Sequence, residues 1–246
     1  RKILGSGTPG SWLQDITFYD KYLRPIQTRS SNQTSFVVTD HSTTVYNFIG
    51  QALQTKTVKN VPAAVTVANS YEYDVQSRLQ KIKQTNGAGA QYTVAFYEYN
   101  ALGQLIDKKL HSTGGGYLQS VDMRYNIRGQ LLSINNAARS SDAGVTNDDG
   151  NDLFGLELLY DKVNTELANT ADWRGMISAV KWSALPPTGP IPPQKAFLYS
   201  YDFVGRLSSA VYKDRGSGTF ALRNYYNETL TYDDNGNIAT LQRNNL

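Results

Sequence analysis

One short pattern, a tyrosine followed by Asp or Asn, then a turn and an aliphatic residue, recurs along the whole chain and constrains its fold more than any other feature. It reads Tyr19-Asp20 with Arg24-Pro25-Ile26, Tyr46-Asn47 with Gly50-Gln51, and Tyr73-Asp74 with Ser77-Arg78-Leu79. Next come Tyr99-Asn100 with Gly103-Gln104-Leu105 and Tyr125-Asn126 with Gly129-Gln130-Leu131. Successive tyrosines of this series stand 27, 27, 26 and 26 residues apart. Two later copies are Tyr201-Asp202 with Gly205-Arg206-Leu207 and Tyr232-Asp233 with Gly236-Asn237-Ile238. Tyr160-Asp161 is split by an insertion from its second half, Gly175-Met176-Ile177, which gives eight units, one of them interrupted. A fixed period of this kind marks a tandem array built from one supersecondary element.

The element reads as a β-hairpin. Tyr71-Glu72-Tyr73, Tyr97-Glu98-Tyr99 and Tyr199-Ser200-Tyr201 alternate with period two, which puts both rings on one strand face. Asp or Asn with Gly three residues on suits a type I turn closed by a left-handed residue as a bulge. After the turn the apolar residues are three apart, as in Leu79/Ile82, Leu131/Ile134, Ile177/Val180 and Ile238/Leu241. Clean alternation would space them by two, so a bulge or burial on both faces is required. A lone hairpin is marginal in water, so the units must pair edge to edge. The expectation is an all-β fold of tandem antiparallel hairpins, forming one long curved or spiralling sheet within a single domain spanning 1–246. A propeller blade needs four strands, more than a 26- to 27-residue step supplies.

Three insertions break the rhythm, at about 136–152, 162–173 and 184–195. The first, rich in Asp, Asn, Ser and Gly, reads as a surface loop. The second reads as carrying a short helical turn through Glu166, Leu167 and Ala168. The third, Pro186 to Pro193, reads as a stiff extended connector, with a proline-rich recognition ligand as its functional alternative.

Composition excludes several functions. Lys and Arg exceed Asp and Glu by three, and they are scattered rather than gathered into a stripe, so no nucleic-acid partner is expected. With no cysteine there is no disulfide, thiolate nucleophile or Cys-based metal site. No apolar run reaches the roughly 18 to 20 residues of a membrane helix. The first residues, Arg1 to Gly7, lack the pattern of a signal peptide, and the sequence is expected to be a piece of a longer polypeptide.

Candidate chemical sites are few. His41 and His111, each beside Ser or Thr, are the two histidines, and both read as loop residues without a nucleophile-elbow motif nearby. Asn147 to Asp152 offers clustered oxygens for a cation but lacks EF-hand spacing, and reads as a solvated turn. Tyrosine supplies 17 of 28 aromatic residues, which raises glycan binding as the rival function; Trp12, Trp173 and Trp182 are the candidates for it. No catalytic, cofactor-binding or metal-ligating residue is assigned. The residues that define the chain are structural, the tyrosines, Asp or Asn residues and glycines named above.

Tyr201-Asp202-Phe203-Val204-Gly205-Arg206-Leu207 resembles the YD repeat of Rhs proteins, toxin-complex shells and teneurins, and the resemblance covers nearly the whole chain. Several copies depart from it, with Gln51, Gln104 and Gln130 in place of Arg, Ser77 in place of Gly, and Pro25 in the first unit. Met123 to Gly129, Asp152 to Leu156 and Leu230 to Asp233 look like the region upstream of the Rhs core in proteins of the Bacteroidetes type. The resemblance implies a secreted or cell-surface protein in which hairpins spiral into a hollow shell. Such a shell encloses or displays a C-terminal, toxin-like domain, or serves as an extracellular scaffold or adhesin. The implied partners are the rest of the same polypeptide, meaning flanking repeats, Rhs core and cargo domain, together with secretion machinery or cell-surface glycans.

Overall fold

The computed structural model describes residues 14–31, 39–60, 63–112, 114–142, 147–190, 192–216 and 218–245. Every regular element among them is a strand, and the strands form two antiparallel sheets that do not close into a barrel. Eight strands follow chain order in the first: β1 (Asp15–Tyr19), β2 (Pro25–Ser31), β3 (Thr39–Tyr46), β4 (Ala52–Lys59), β5 (Val65–Tyr73), β6 (Leu79–Asn86), β7 (Tyr92–Tyr99) and β8 (Leu105–Ser112).

The second sheet begins with β9 (Met123–Tyr125), β10 (Leu131–Ile134), β11 (Phe154–Leu159), β12 (Ala179–Ala184) and β13 (Lys195–Tyr201). It continues through β14 (Leu207–Asp214), β16 (Glu228–Tyr232) and β17 (Ile238–Arg243), while the short β15 (Ala221–Leu222) pairs with β14 beside that path. The fold is all-β and built from consecutive antiparallel hairpins, as the sequence reading expects, with the strands shared between two sheets and the chain dividing into two compact units. The first unit holds 1–98 with 108–118, and the second holds 99–107 with 119–246.

The three-residue spacing has a single cause. In β5 and β6, Tyr73 faces Leu79 and Tyr71 faces Ile82, with a register shift between Glu72 and Tyr73 that leaves Gln80 as an extra residue. The same shift sets Tyr201 opposite Leu207, and Tyr232 opposite Ile238 with Leu230 opposite Leu241. It also puts Tyr125 opposite Leu131 and Met123 opposite Ile134. A bulge directly after the turn therefore returns residues three apart to the face that carries the tyrosine.

The insertions do more than connect. Leu167 lies in the single helical turn expected there, closed by the Ala168 N–H on Asn164 O at 2.8 Å, and is fully buried with Ala179, Ala196 and Phe220, packed on by Leu159 and Leu198. The proline segment is a bent loop returning β12 into its antiparallel neighbour β13, rather than an extended connector. In the loop expected on the surface, Ala137, Asn147 and Asp152 are buried. His41 and His111 sit in strands β3 and β8, not loops; His41 pairs across the sheet with Arg29 and Val58, and the His111 ring lies 5.1 Å from that of Tyr92.

Candidate functional site

The recurring site is the turn edge. In the unit that starts at Tyr73, the Asp74 N–H donates to Arg78 O and the Ser77 N–H donates to Asp74 O, both at 2.9 Å. Asp74 Oδ1 accepts the backbone N–H groups of Gln76 and Arg78, also at 2.9 Å, while Oδ2 takes Arg78 Nε at 2.6 Å. One carboxylate thus closes the turn with one oxygen and fixes the arginine with the other. Asp20 holds Arg24 and Asp202 holds Arg206 at the same 2.6 Å.

Where the turn residue is Asn, the partner changes with it. Asn47, Asn100 and Asn126 each keep Oδ1 on the backbone and donate Nδ2 to the side-chain oxygen of Gln51, Gln104 and Gln130, at 2.8 Å in every case. Asp233 pairs instead with Asn237, whose Nδ2 lies 3.0 Å from Oδ2. The substitutions of Gln for Arg are thus matched chemistry: acid with guanidinium, amide with amide.

In the interrupted unit Tyr160 keeps the tyrosine position, but Asp172 takes the turn position in place of Asp161. The Asp172 N–H donates to Tyr160 O at 2.7 Å, and the Asp172 carboxylate is held by Arg174. The left-handed slot three residues after the Asp or Asn is filled by Gly50, Gly103, Gly129, Gly175, Gly205 and Gly236, and by Leu23 and Ser77 at φ 61° and 66°.

These turns are bonded to one another. Arg24 reaches Asn47 O at 3.2 Å and Gln51 reaches Ser77 O at 2.7 Å. In the second unit Gln130 reaches Gly175 O at 3.0 Å, Arg174 reaches Asp202 O at 3.2 Å and Arg206 reaches Asp233 O at 3.4 Å. The tyrosines run the other way. The hydroxyls of Tyr46, Tyr73, Tyr160, Tyr201 and Tyr232 donate to the carbonyls of Pro25, Ala52, Leu131, Ile177 and Leu207 in the preceding hairpin, at 2.7 to 3.1 Å. Tyr125 departs, with its hydroxyl on Met123 Sδ at 3.7 Å.

The turn carboxylates are acidic. For Asp20, Asp74 and Asp202, burial pulls the pKa upward, but the backbone and guanidinium donors together outweigh it and hold each below the usual carboxylate range. Asp172 is held low by the Arg174 guanidinium and Asp233 by the Asn237 amide.

Two other groups stand apart from the repeat. Asp107, Asp122 and Asp148 bring carboxylate oxygens within 4.8 Å of one another, with Asp107 and Asp122 buried. Oxygen donors of this kind suit hard cations; here Ser120 Oγ donates to Asp107 and the Asp148 N–H to Asp122. Nearby, burial pushes Asp152 up to about 6 although Asn147 donates to it. The sequence reading took in Asp148 and Asp152 and missed Asp107 and Asp122, which only the fold brings to them.

The second group is aromatic. Trp182, Phe197 and Tyr212 project from β12, β13 and β14, with the first two rings 5.8 Å apart and 14° from parallel. With Tyr226, Lys195 and Asn244 they line a cleft of about 570 Å³. Tyr226 stands edge-on to Tyr212 and Tyr225 and holds a φ of 61°. Of the other glycan candidates, Trp173 lies exposed at a turn tip and Trp12 lies outside the described residues.

No family model matches the sequence, and neither does any curated protein. Among solved structures the chain is similar to a crystal structure of TcdB2-TccC3 without its hypervariable C-terminal region, at 14% identity and a TM-score of 0.47, over 91% of this chain and 12% of that one. It is also similar to the TcdB2-TccC3-Cdc42 crystal structure, at 11% identity and 0.41, over 93% and 14%. The Photorhabdus luminescens Tc holotoxin pore is a third, at 11% identity and 0.39, over 90% and 14%. The chain thus spans about an eighth of the length of these chains.

Proposed function

We propose that this chain is a noncatalytic wall segment of a secreted or cell-surface YD/Rhs-repeat protein, which encloses or displays a C-terminal domain, toxin-like in class. The observation that carries the reading is the two-way fastening of neighbouring hairpins. Side chains of the turns reach forward to the next turn while tyrosine hydroxyls reach back to the previous hairpin. Bonds of this kind make a continuous barrier out of units that would be marginal alone. The identity of most repeat-defining residues is spent on that fastening. Its partners are then strands of the same polypeptide, for which β17, exposed along its length, offers a free edge.

Limited native proteolysis of the parent polypeptide, with mass spectrometry of the fragments, tests this. Containment requires the repeats to be protected and a C-terminal fragment to stay associated until denaturant is added. Release of that fragment under native conditions sinks containment and leaves a surface scaffold.

A second reading rests on the aromatic cleft. The half-buried Trp182 and Phe197 rings and the exposed Tyr226 ring, beside Lys195 and Asn244, match the mixed stacking and hydrogen bonding that saccharides require. Glycan-array binding that Trp182→Ala abolishes would support a glycan-binding scaffold; an array without signal removes it.

A further inference from the structure

The turn tips present the wrong kind of residue to water. The two positions between the Asp or Asn and the left-handed slot are normally polar in solvent-exposed turns. Here the tips of the first unit carry Tyr22, Phe48 and Val75, and those of the second carry Leu102, Ile127, Trp173 and Phe203. Phe48, Val75, Ile127 and Phe203 are 93%, 94%, 102% and 91% exposed, so these side chains stand clear of every neighbour. Their location follows from the turn-to-turn bonds already described, which align the tips of each unit along one edge. Successive tips are two strands apart, about 10 Å.

Core packing does not account for Phe48, Val75, Ile127 and Phe203, and the turn geometry needs only the Asp or Asn and the left-handed residue. An apolar row of this kind is an interaction surface. Its shape narrows the partner. Each tip is a convex knob, and a folded protein would need a matching socket every 10 Å or so, whereas fluid acyl chains accept isolated knobs without a preformed shape. Tyr22 and Trp173, each with a polar handle, favour the headgroup region of a bilayer, and Phe48 and Phe203 suit the acyl boundary just beneath it.

Charge agrees with that partner. The carboxylates of Asp20, Asp74, Asp172 and Asp202 at these turns are each covered by an arginine of the same turn. Lys21 and Arg128 add exposed cations. Asp233 and Asp234, without an arginine, belong to the eighth turn, whose tip is polar. The cost of inserting backbone is also low, because the Asp or Asn oxygen already satisfies two N–H groups in turns such as Asp74 and Asp202.

We propose that the turn edge of each unit is a peripheral lipid-binding surface, which lays its apolar tips into the headgroup region of an anionic bilayer. The probe is flotation of the full chain with phosphatidylcholine vesicles with and without phosphatidylglycerol. The chain is expected to float with the anionic vesicles, and the triple variant Phe48→Ser, Ile127→Ser, Phe203→Ser to lose at least about tenfold in partitioning. Its far-ultraviolet circular dichroism should be unchanged, since these side chains pack on nothing. A vesicle-dependent blue shift in tryptophan emission should vanish in Trp173→Phe and survive in Trp182→Phe. The proposal is overturned by equal flotation of chain and variant, by flotation of neither, or by a concentration-dependent self-association that the triple variant removes, which would assign the edge to a second copy.

Discussion

Gln130 Oε1 accepts a 2.8 Å hydrogen bond from the side-chain amide of Asn126, in the slot where Asp202 holds Arg206 Nε at 2.6 Å. The two pairings are not interchangeable in halves. Asp202 Oδ1 already accepts the N–H groups of Val204 and Arg206, so Asp202→Asn must place its Nδ2 against Arg206 Nε, donor against donor. Arg206→Gln alone strands the second carboxylate oxygen unless the Gln amide abandons Asp233 O. Each single substitution is expected to lower the urea midpoint, and the double Asp202→Asn, Arg206→Gln to recover most of the loss. A double-mutant cycle with zero coupling would show that the pairing does not determine residue choice.

The tyrosine ladder predicts unequal costs for one chemical change. Tyr73→Phe and Tyr201→Phe each leave a partly buried carbonyl without its donor, at 2.8 Å in both cases, and should cost about 1 kcal/mol. Tyr125→Phe removes only a 3.7 Å contact with a thioether and should cost clearly less. Chemical denaturation of the three variants checks the order; equal losses would mean that ring packing, not the hydroxyl, fastens the hairpins.

The hairpin array was legible because its signals are local: a turn residue, a left-handed slot and a bulge all lie within eight residues, as from Tyr73 to Gln80. In the interrupted unit the turn residue is set by its spacing to Gly175 and not by adjacency to Tyr160. Asp172, three residues before that glycine, carried the usable signal. The matched pairs were equally visible, since Gln stands four residues after Asn at 47, 100 and 126 and Arg four after Asp at 20, 74 and 202. Burial of Asn147 and Asp152 was not legible. A polar loop reads as solvated until the fold supplies partners such as Asn135, whose amide donates to Asp152 and whose oxygen accepts from Asp122. The Trp182–Phe197 cleft likewise exists only through the register of β12 and β13.

Substitutions in the left-handed slot should rank by contact. Gly205→Ala meets only Met176 Cε, at 3.8 Å, and should cost about 1 kcal/mol for the strained φ. Gly175→Ala adds a Cβ 3.2 Å from Gln130 Nε2 and 3.3 Å from Arg128 Nη1, so it should cost more and disturb the bond to the Gly175 carbonyl. Ser77→Gly should stabilise, because serine already bears the strain at φ 66°. Midpoints in the order Ser77→Gly, wild type, Gly205→Ala, Gly175→Ala are expected, and any inversion would count against the slot as the source of strain.

Asp152 and the turn aspartates should pull stability in opposite directions as pH changes. Burial raises Asp152 to about 6 in the folded chain, so between the ordinary carboxylate value and that pH the native state binds more protons than the unfolded one. By linkage, stability then increases as pH falls from about 6 to about 4. Asp20, Asp74, Asp172 and Asp202 are held below the ordinary value, so their contribution is present above it and is lost as pH falls through their folded pKa values. The result is a maximum near pH 4 in which the rise comes from Asp152 together with Asp122 and Asp149, which burial also raises, and the fall from the turns. Asp149, itself raised by burial and helping by its charge to raise Asp152, separates the two limbs: Asp149→Asn should remove its own contribution, lower the Asp152 pKa and so shrink the rise while leaving the acid limb unchanged. Urea midpoints across this range, with the Asp152 carboxyl followed by carbon NMR, check the assignment. A rise that survives Asp149→Asn with the Asp152 titration unmoved would transfer it to another buried acid.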